Sequence, residues 1–298
     1  MSTLELVPWC LAFAVVAVLI ICGNILTIVV LLKSSLINTN LCALLISLAA
    51  ADLTVGALAV PLYIYQILAG YLGYRHYVTS GTIYQAIDIF TAYASIFSLI
   101  VIAGERLLAI GWSIRHQQVS KGTYLTVIAI VWGLAAILGC LAVLKNMRII
   151  TLVSFFIPVV VFFFLGTAIL CASYLTLWCI AREIRSDEDG GTREQEKRLG
   201  FTLLIVTILF IVMWFPFKVV NMVFFAGVKC GLHCTTEVSA LVKLLHYGNS
   251  FVNPIIYTFR VPGFKRVALR ILRRETLASV TEEDITMNMI TGPVSETQ

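Results

Sequence analysis

Charge is what this sequence has least of. Of 298 residues, 16 are Asp or Glu and 21 are Lys or Arg, 12% in all, while 60% are hydrophobic. A soluble domain carries about 25% charged residues to keep its surface hydrated. A water-soluble fold is therefore excluded, and a membrane is the expected solvent. The sequence also lacks the marks of an enzyme. No catalytic triad, phosphate-binding loop or metal-ligand spacing occurs. The net charge of +5 is distributed as a topology signal and implies no nucleic-acid partner.

What is present is seven apolar runs, at about 6–32, 39–66, 82–111, 123–144, 149–181, 199–226 and 237–259. Each is long enough to cross a hydrocarbon core of about 30 Å. In lipid every backbone polar group must be satisfied within its own segment, so the runs are expected as helices of one all-α bundle. Fifteen Lys and Arg fall on one side, in its loops or, for Arg106, at that end of the third run, and four (Arg75, Lys145, Arg148, Lys229) in the loops of the other, with Lys218 and Lys243 deeper inside the runs. Basic loops stay in the cytosol. The N-terminus (1–5) is thus expected outside and the C-terminus inside. The first run is too long for a signal-peptide core and is expected as a spanning helix rather than a cleaved leader. The organisation expected is a seven-helix transmembrane domain over 6–261, a basic amphipathic membrane-surface helix over 262–274, and an acidic, Ser/Thr-containing disordered tail over 275–298. The segment Glu183 to Lys197 is expected as a mobile inner loop.

Of eight cysteines, Cys10, Cys22, Cys42, Cys140, Cys171 and Cys179 lie within apolar runs and are expected to pack as small hydrophobes. Cys230 and Cys234 sit in the short outer loop before the last run. An oxidising compartment would let them close a small disulfide ring, and a metal site with His233 is the weaker alternative.

Polar residues inside these runs need a reason, because a charge at mid-bilayer costs about 2.5–3.5 kcal/mol on insertion scales. In the last run, Lys243, Tyr247, Ser250, Pro254 and Tyr257 share one helical stripe, with Asn249 and Asn253 beside it. In the third run, Asp88, Ala92, Ser95, Leu99, Ile102 and Arg106 form a second stripe. Its ends are eighteen residues, or about 27 Å, apart. Asp88 is then expected near the outer mouth and Arg106 at the cytosolic end. Asp52 lies near the middle of the second run, and Pro61 is expected to kink it.

The run Asn253-Pro254-Ile255-Ile256-Tyr257, the triplet Glu105-Arg106-Leu107, the segment Phe210 to Pro216 with Trp214, Gly23-Asn24, and Ser47 to Leu53 with Asp52 resemble the motifs of rhodopsin-like G-protein-coupled receptors. A second outer loop of about four residues, Gly81 in place of the usual helix-three Cys, and Gly166 in place of the usual helix-five Pro resemble the melanocortin, cannabinoid and lysophospholipid branch, with adenosine receptors as relatives. The resemblance implies a small-ligand receptor of the plasma membrane that activates a heterotrimeric G protein, with arrestin and a receptor kinase acting on the tail.

Carried onto this chain, the resemblance implies a ligand site at Asp88, Trp214, Phe217, Lys218, Asn221, Lys243 and Tyr247. A polar network of Asn24, Asp52, Ser95, Asn249 and Asn253 would hold a sodium ion on Asp52 and Ser95. An activation switch would comprise Glu105, Arg106, Tyr174, Glu196 and Tyr257. Asp88 matches the position at which amine receptors hold an ammonium group, so a biogenic amine is one expectation. Lys243, one turn outward of Tyr247, would neutralise Asp88 internally, so a lipid, nucleoside, anionic or zwitterionic ligand is the other. Asp88 opposite Lys243 also mimics a retinal counterion pair, and a transporter is a further competitor, though no internal repeat supports one.

Overall fold

The computed structural model describes residues 3–33, 39–74, 77–183, 190–225, 232–261 and 263–273. It is helical throughout: α1 (Thr3–Lys33), α2 (Thr39–Thr54), a π-helical turn (Val55–Ala59), α3 (Val60–Leu72), α4 (Tyr77–Gly111), α5 (Ser113–Gln117), α6 (Lys121–Asn146), α7 (Leu152–Glu183), α8 (Gly190–Phe225), α9 (Leu232–Arg260) and α10 (Phe264–Leu272). Counting α2 and α3 as one column, seven long columns run through the described residues. Five of them, α1, α2–α3, α4, α6 and α7, are long and apolar enough to cross a membrane. The described apolar run of α8 is the shorter Ile208–Val223, and α9 carries the polar stripe.

Burial is inverted relative to a soluble protein. Val15, Leu125, Ile137 and Val161 each expose more than half of their surface, while Asn24, Asp52, Arg106 and Lys243 are buried. Outward Leu, Ile and Val suit lipid, and inward polar groups find one another. The six apolar-run cysteines are reduced, but Cys22, Cys140, Cys171 and Cys179 face outward instead of packing in the core.

Helix α4 is the central column, packing on α2, α3, α6, α7 and α8. Small residues set its approaches. A Cβ at Gly139 of α6 would lie 2.9 Å from the Ala86 carbonyl oxygen and 3.1 Å from Phe90 Cβ, so glycine lets α6 lie directly against α4. The Trp132 indole donates to Ser47 Oγ at 2.9 Å, tying α6 to α2. Tyr93 donates to the Val159 carbonyl and ties α4 to α7.

Two prolines show how the helices accommodate a missing N–H. Ahead of Pro61 the chain takes a π turn, with the Val60 N–H bonding to the Val55 carbonyl. The expected kink is therefore an added residue in the helical turn. Pro254 has no N–H, so the Ser250 carbonyl one turn earlier loses its helical donor. Asn24 Nδ2 replaces that donor at 3.0 Å. Adjacent Gly23 makes room: a Cβ there would lie 3.1 Å from Pro254 Cγ.

Some boundaries differ from expectation. Helix α8 begins at Gly190, inside the segment expected as a loop, because Arg193, Glu194, Gln195, Glu196, Lys197 and Arg198 are strong helix formers that extend the column into water. Helix α9 begins at Leu232, so Cys234 is in its first turn rather than in a loop. Cys230 and the Cys234 side chain lie outside the described residues, as do the Glu196 side chain and residues 275–298. The connection between α6 and α7 is short as expected, running from Met147 to Thr151 with Arg148 in the left-handed region at φ 60°.

Candidate functional site

The helices converge on three polar layers, stacked from one end of the bundle to the other. The outermost is a cavity of about 720 Å³ among α3, α4, α7, α8 and α9. At its floor the Lys243 ammonium lies 2.7 Å from each oxygen of Asp88. Tyr247 donates to the same carboxylate at 2.9 Å and lies 3.2 Å from the Tyr84 hydroxyl. Asp88 therefore has its counter-charge inside the protein. Lys243 also stands 4.2 Å from the Phe217 ring centre.

Lys218, one turn outward of Trp214, is in a different position. Its ammonium is ringed by Phe163, Trp214, Tyr93 and Phe217 at 5.0, 5.3, 5.4 and 5.9 Å. No carboxylate among the described residues pairs with it. Asn221 lines the same cavity, its amide donating to the Phe217 carbonyl at 2.8 Å.

The missing helix-three disulfide has a substitute. Gln66 Nε2 donates to Ser80 Oγ at 2.6 Å, linking α3 to α4 beside Gly81. Lys145 donates to Gln85 at 2.6 Å, linking the end of α6 to α4. Polar side chains thus tie α3 and α6 to α4 at this end of the bundle.

The middle layer surrounds Asp52, which has no exposed surface. Ser95 and Ser250 donate to its Oδ1 at 2.9 and 2.8 Å, and Asn253 donates to Oδ2 at 2.7 Å. Asn24 reaches this layer through the Ser250 carbonyl. Asn249 is buried but makes no bond to Asp52, where the expected network included it: Ser250 and Asn253, three residues apart on one side of α9, reach the carboxylate instead. Ser250 takes its place, and its position on the Lys243–Tyr247 stripe was the signal for it. A small cavity of about 10 Å³ is lined by Ser95, Trp214, Tyr247 and Ser250. Ala92 and His246 line both cavities, so the outer and middle layers share a wall.

His246 was not assigned a role from sequence. It stacks on Phe217 with ring centres 4.5 Å apart and meets Trp214 edge-on at 4.2 Å. Its Nδ1 is buried with no partner among the described residues.

At the third layer, Arg106 is fully buried and forked onto Glu105, Nε to Oε2 at 2.5 Å and the terminal nitrogen to Oε1 at 2.6 Å. His116 Nε2, from the short helix α5, lies 2.8 Å from the same Glu105 Oε1. His116 was also missed: a lone His in a loop gives no periodic signal. Tyr174 and Tyr257 are both buried.

A lipid-facing helical bundle with a buried polar column is a multi-pass membrane protein. The family model for the 7 transmembrane receptor (rhodopsin family) matches residues 23–257. Adenosine receptor A3 of Ovis aries is 27% identical, over 85% of this chain and 86% of that protein. Adenosine receptor A2a of Homo sapiens is 29% identical, over 88% and 71%. Somatostatin receptor type 1 of Rattus norvegicus is 24% identical, over 92% and 73%. The chain belongs to the rhodopsin family of seven-transmembrane receptors, and it is a G-protein-coupled receptor rather than an enzyme.

Proposed function

We propose that the protein binds a small extracellular ligand in the outer cavity and passes the event along the polar column to a heterotrimeric G protein at the Arg106 end. The ligand would touch Asp88, Trp214, Phe217, Lys218, Asn221, Lys243 and Tyr247. The N-terminus would face the outside of the plasma membrane, with α10 on the inner leaflet and residues 275–298 in the cytosol, available to a receptor kinase and arrestin. To move the switch from 1:99 to 99:1, the ligand needs about 5.5 kcal/mol of preference for the active arrangement. Movement of α8 about Pro216 and of α9 about Pro254 would supply the change.

The observation that carries the ligand reading is the closed Asp88–Lys243 pair, with both carboxylate oxygens 2.7 Å from the ammonium. An incoming amine finds its counterion already occupied, and displacing Lys243 would leave a buried cation unpaired. A non-amine ligand is therefore the better fit. A nucleoside is a second reading, supported by the adenosine receptors among the relatives and by Asn221 in the cavity wall. Signalling in cells by full-length receptor, challenged with amines, nucleosides and organic acids, tests this. The expected agonist is not an amine. An amine agonist whose effect vanishes in Asp88→Ala would overturn the reading.

The family's sodium ion fits the middle layer. Asp52 and the hydroxyls of Ser95 and Ser250 are hard oxygen donors converging beside a small cavity, the donor type a hard cation prefers. Bound there, the ion would supply the positive charge that no basic side chain among the described residues gives Asp52.

A further inference from the structure

We infer that Lys218 is an anion-binding site, and that the ligand is a small organic acid with an apolar, aromatic-compatible body whose single negative group docks on the Lys218 ammonium. This deepens the small-ligand reading above and rests on it.

The argument is one of charge. Around the cavity floor stand two lysines and one acid: Lys218 and Lys243 share the Phe217 ring, at 5.9 and 4.2 Å from its centre, and Asp88 spends both oxygens on Lys243. Lys145 at the mouth adds a third cation, held by Gln85. In the whole sequence the only other acids in outer-side segments are Glu5 and Glu237, and Glu237 is exposed. The floor thus carries one uncompensated positive charge in an apolar surround, where an unpaired charge is costly.

The four rings about Lys218 offset part of that cost through their negative faces but accept no strong hydrogen bond. A ligand anion supplies the missing acceptor. A carboxylate monoanion pairs Lys218 one for one, as Asp88 pairs Lys243, and leaves Lys145 to Gln85 at the mouth. The walls define the rest of the ligand. Phe155, Phe156, Phe164 and Phe225 line the same cavity as Lys218, a surface that rewards apolar area, with Asn221, Gln66 and Gln85 as polar partners for the rest of the ligand. Asp88 also screens against the wrong sign less than it would if open, because Lys243 covers it.

The test uses the full-length receptor in lipid nanodiscs. Phenylacetate, 3-phenylpropionate and 4-phenylbutyrate are each compared with the matching amide and amine. Binding is read by calorimetry on wild type, Lys218→Met and Lys218→Arg. At least one carboxylate is expected to bind wild type ten-fold or more tightly than its amide. Lys218→Met abolishes that preference and Lys218→Arg keeps most of it. Retained binding of the amide by Lys218→Met, even at a changed affinity, reports that the cavity is intact. The inference is overturned if no carboxylate in the series is preferred over its amide, or if the preference survives Lys218→Met.

Nucleotide exchange on a co-reconstituted heterotrimeric G protein separates the two levels. Carboxylate binding through Lys218 without any effect on exchange upholds the site and removes the agonist reading. Exchange driven by an amine, with no carboxylate bound, removes the site and leaves the receptor standing.

Discussion

Lys243 and Asp88 are each the other's reason for being buried. Breaking one side of such a pair leaves a bare charge and costs about 3–5 kcal/mol, whereas removing both charges is close to neutral. Lys243→Met alone is therefore expected to lower thermal stability in detergent, and Asp88→Asn/Lys243→Met to recover most of the loss. Equal losses in the single and double variants would show that the pair is not coupled. Asp52 makes the complementary case of a buried carboxylate with three donors and no basic partner among the described residues. Replacing NaCl by choline chloride should lower the melting temperature of wild type and leave that of Asp52→Asn unmoved. A wild type indifferent to sodium would dismiss the ion. Part of this layer was legible in the sequence: Ser95 lies on the α4 stripe, and the resemblance to the receptor motifs pointed to Asp52 and Asn253. Ser250 lay on the Lys243–Tyr247 stripe with Asn249 beside it, so the stripe pointed to Ser250 where the resemblance pointed to Asn249. His116 was invisible because it acts from a short helix outside the seven runs, at 2.8 Å from Glu105.

At the scale of the element, α4 reads most clearly. Its stripe from Asp88 to Arg106 is buried along its whole length, as a period of 3.6 residues with polar ends demands. The fit between columns was not legible, because it depends on glycines whose partners are distant in sequence. Gly139 is the sharpest case, with backbone oxygen 2.9 Å from where a Cβ would stand. Gly139→Val should force α6 off α4 and cost about 1–3 kcal/mol as overpacking, read as a lower melting temperature. Gly133, on the same helix with nothing within 4 Å of such a Cβ, is the control, and Gly133→Ala should leave stability unchanged within about 0.5 kcal/mol. The Pro254–Asn24 arrangement makes a similar point. Removing the amide in Asn24→Ala should leave the Ser250 carbonyl without a donor, at a cost near the 0.6 kcal/mol average for polar contacts between membrane helices.

Across the whole molecule, the polar layers form one column. The outer cavity, the Asp52 layer and the Glu105–Arg106–His116 cluster lie along α4, and the first two share Ala92 and His246. Charge distribution, seven apolar runs and motif positions made this architecture readable, because lipid leaves few options for a chain with so little charge. The Lys243–Asp88 pairing was one of the expectations from sequence, but the ring of aromatic side chains around Lys218 was not readable, since it depends on how side chains from three helices meet across the cavity. The proposed coupling runs from the outer cavity to the Arg106 end, so removing Lys243, which stands in the cavity floor and holds Asp88, should shift the equilibrium that frees Arg106. GDP–GTP exchange on a panel of purified heterotrimeric G proteins, driven by full-length receptor in nanodiscs, measures that link directly for wild type, Lys243→Ala and Lys243→Ala/Arg106→Ala. The account predicts that Lys243→Ala changes exchange several-fold with at least one heterotrimer and that Arg106→Ala erases the change. Folded Lys243→Ala receptor that leaves every heterotrimer exchanging at the wild-type rate would contradict it.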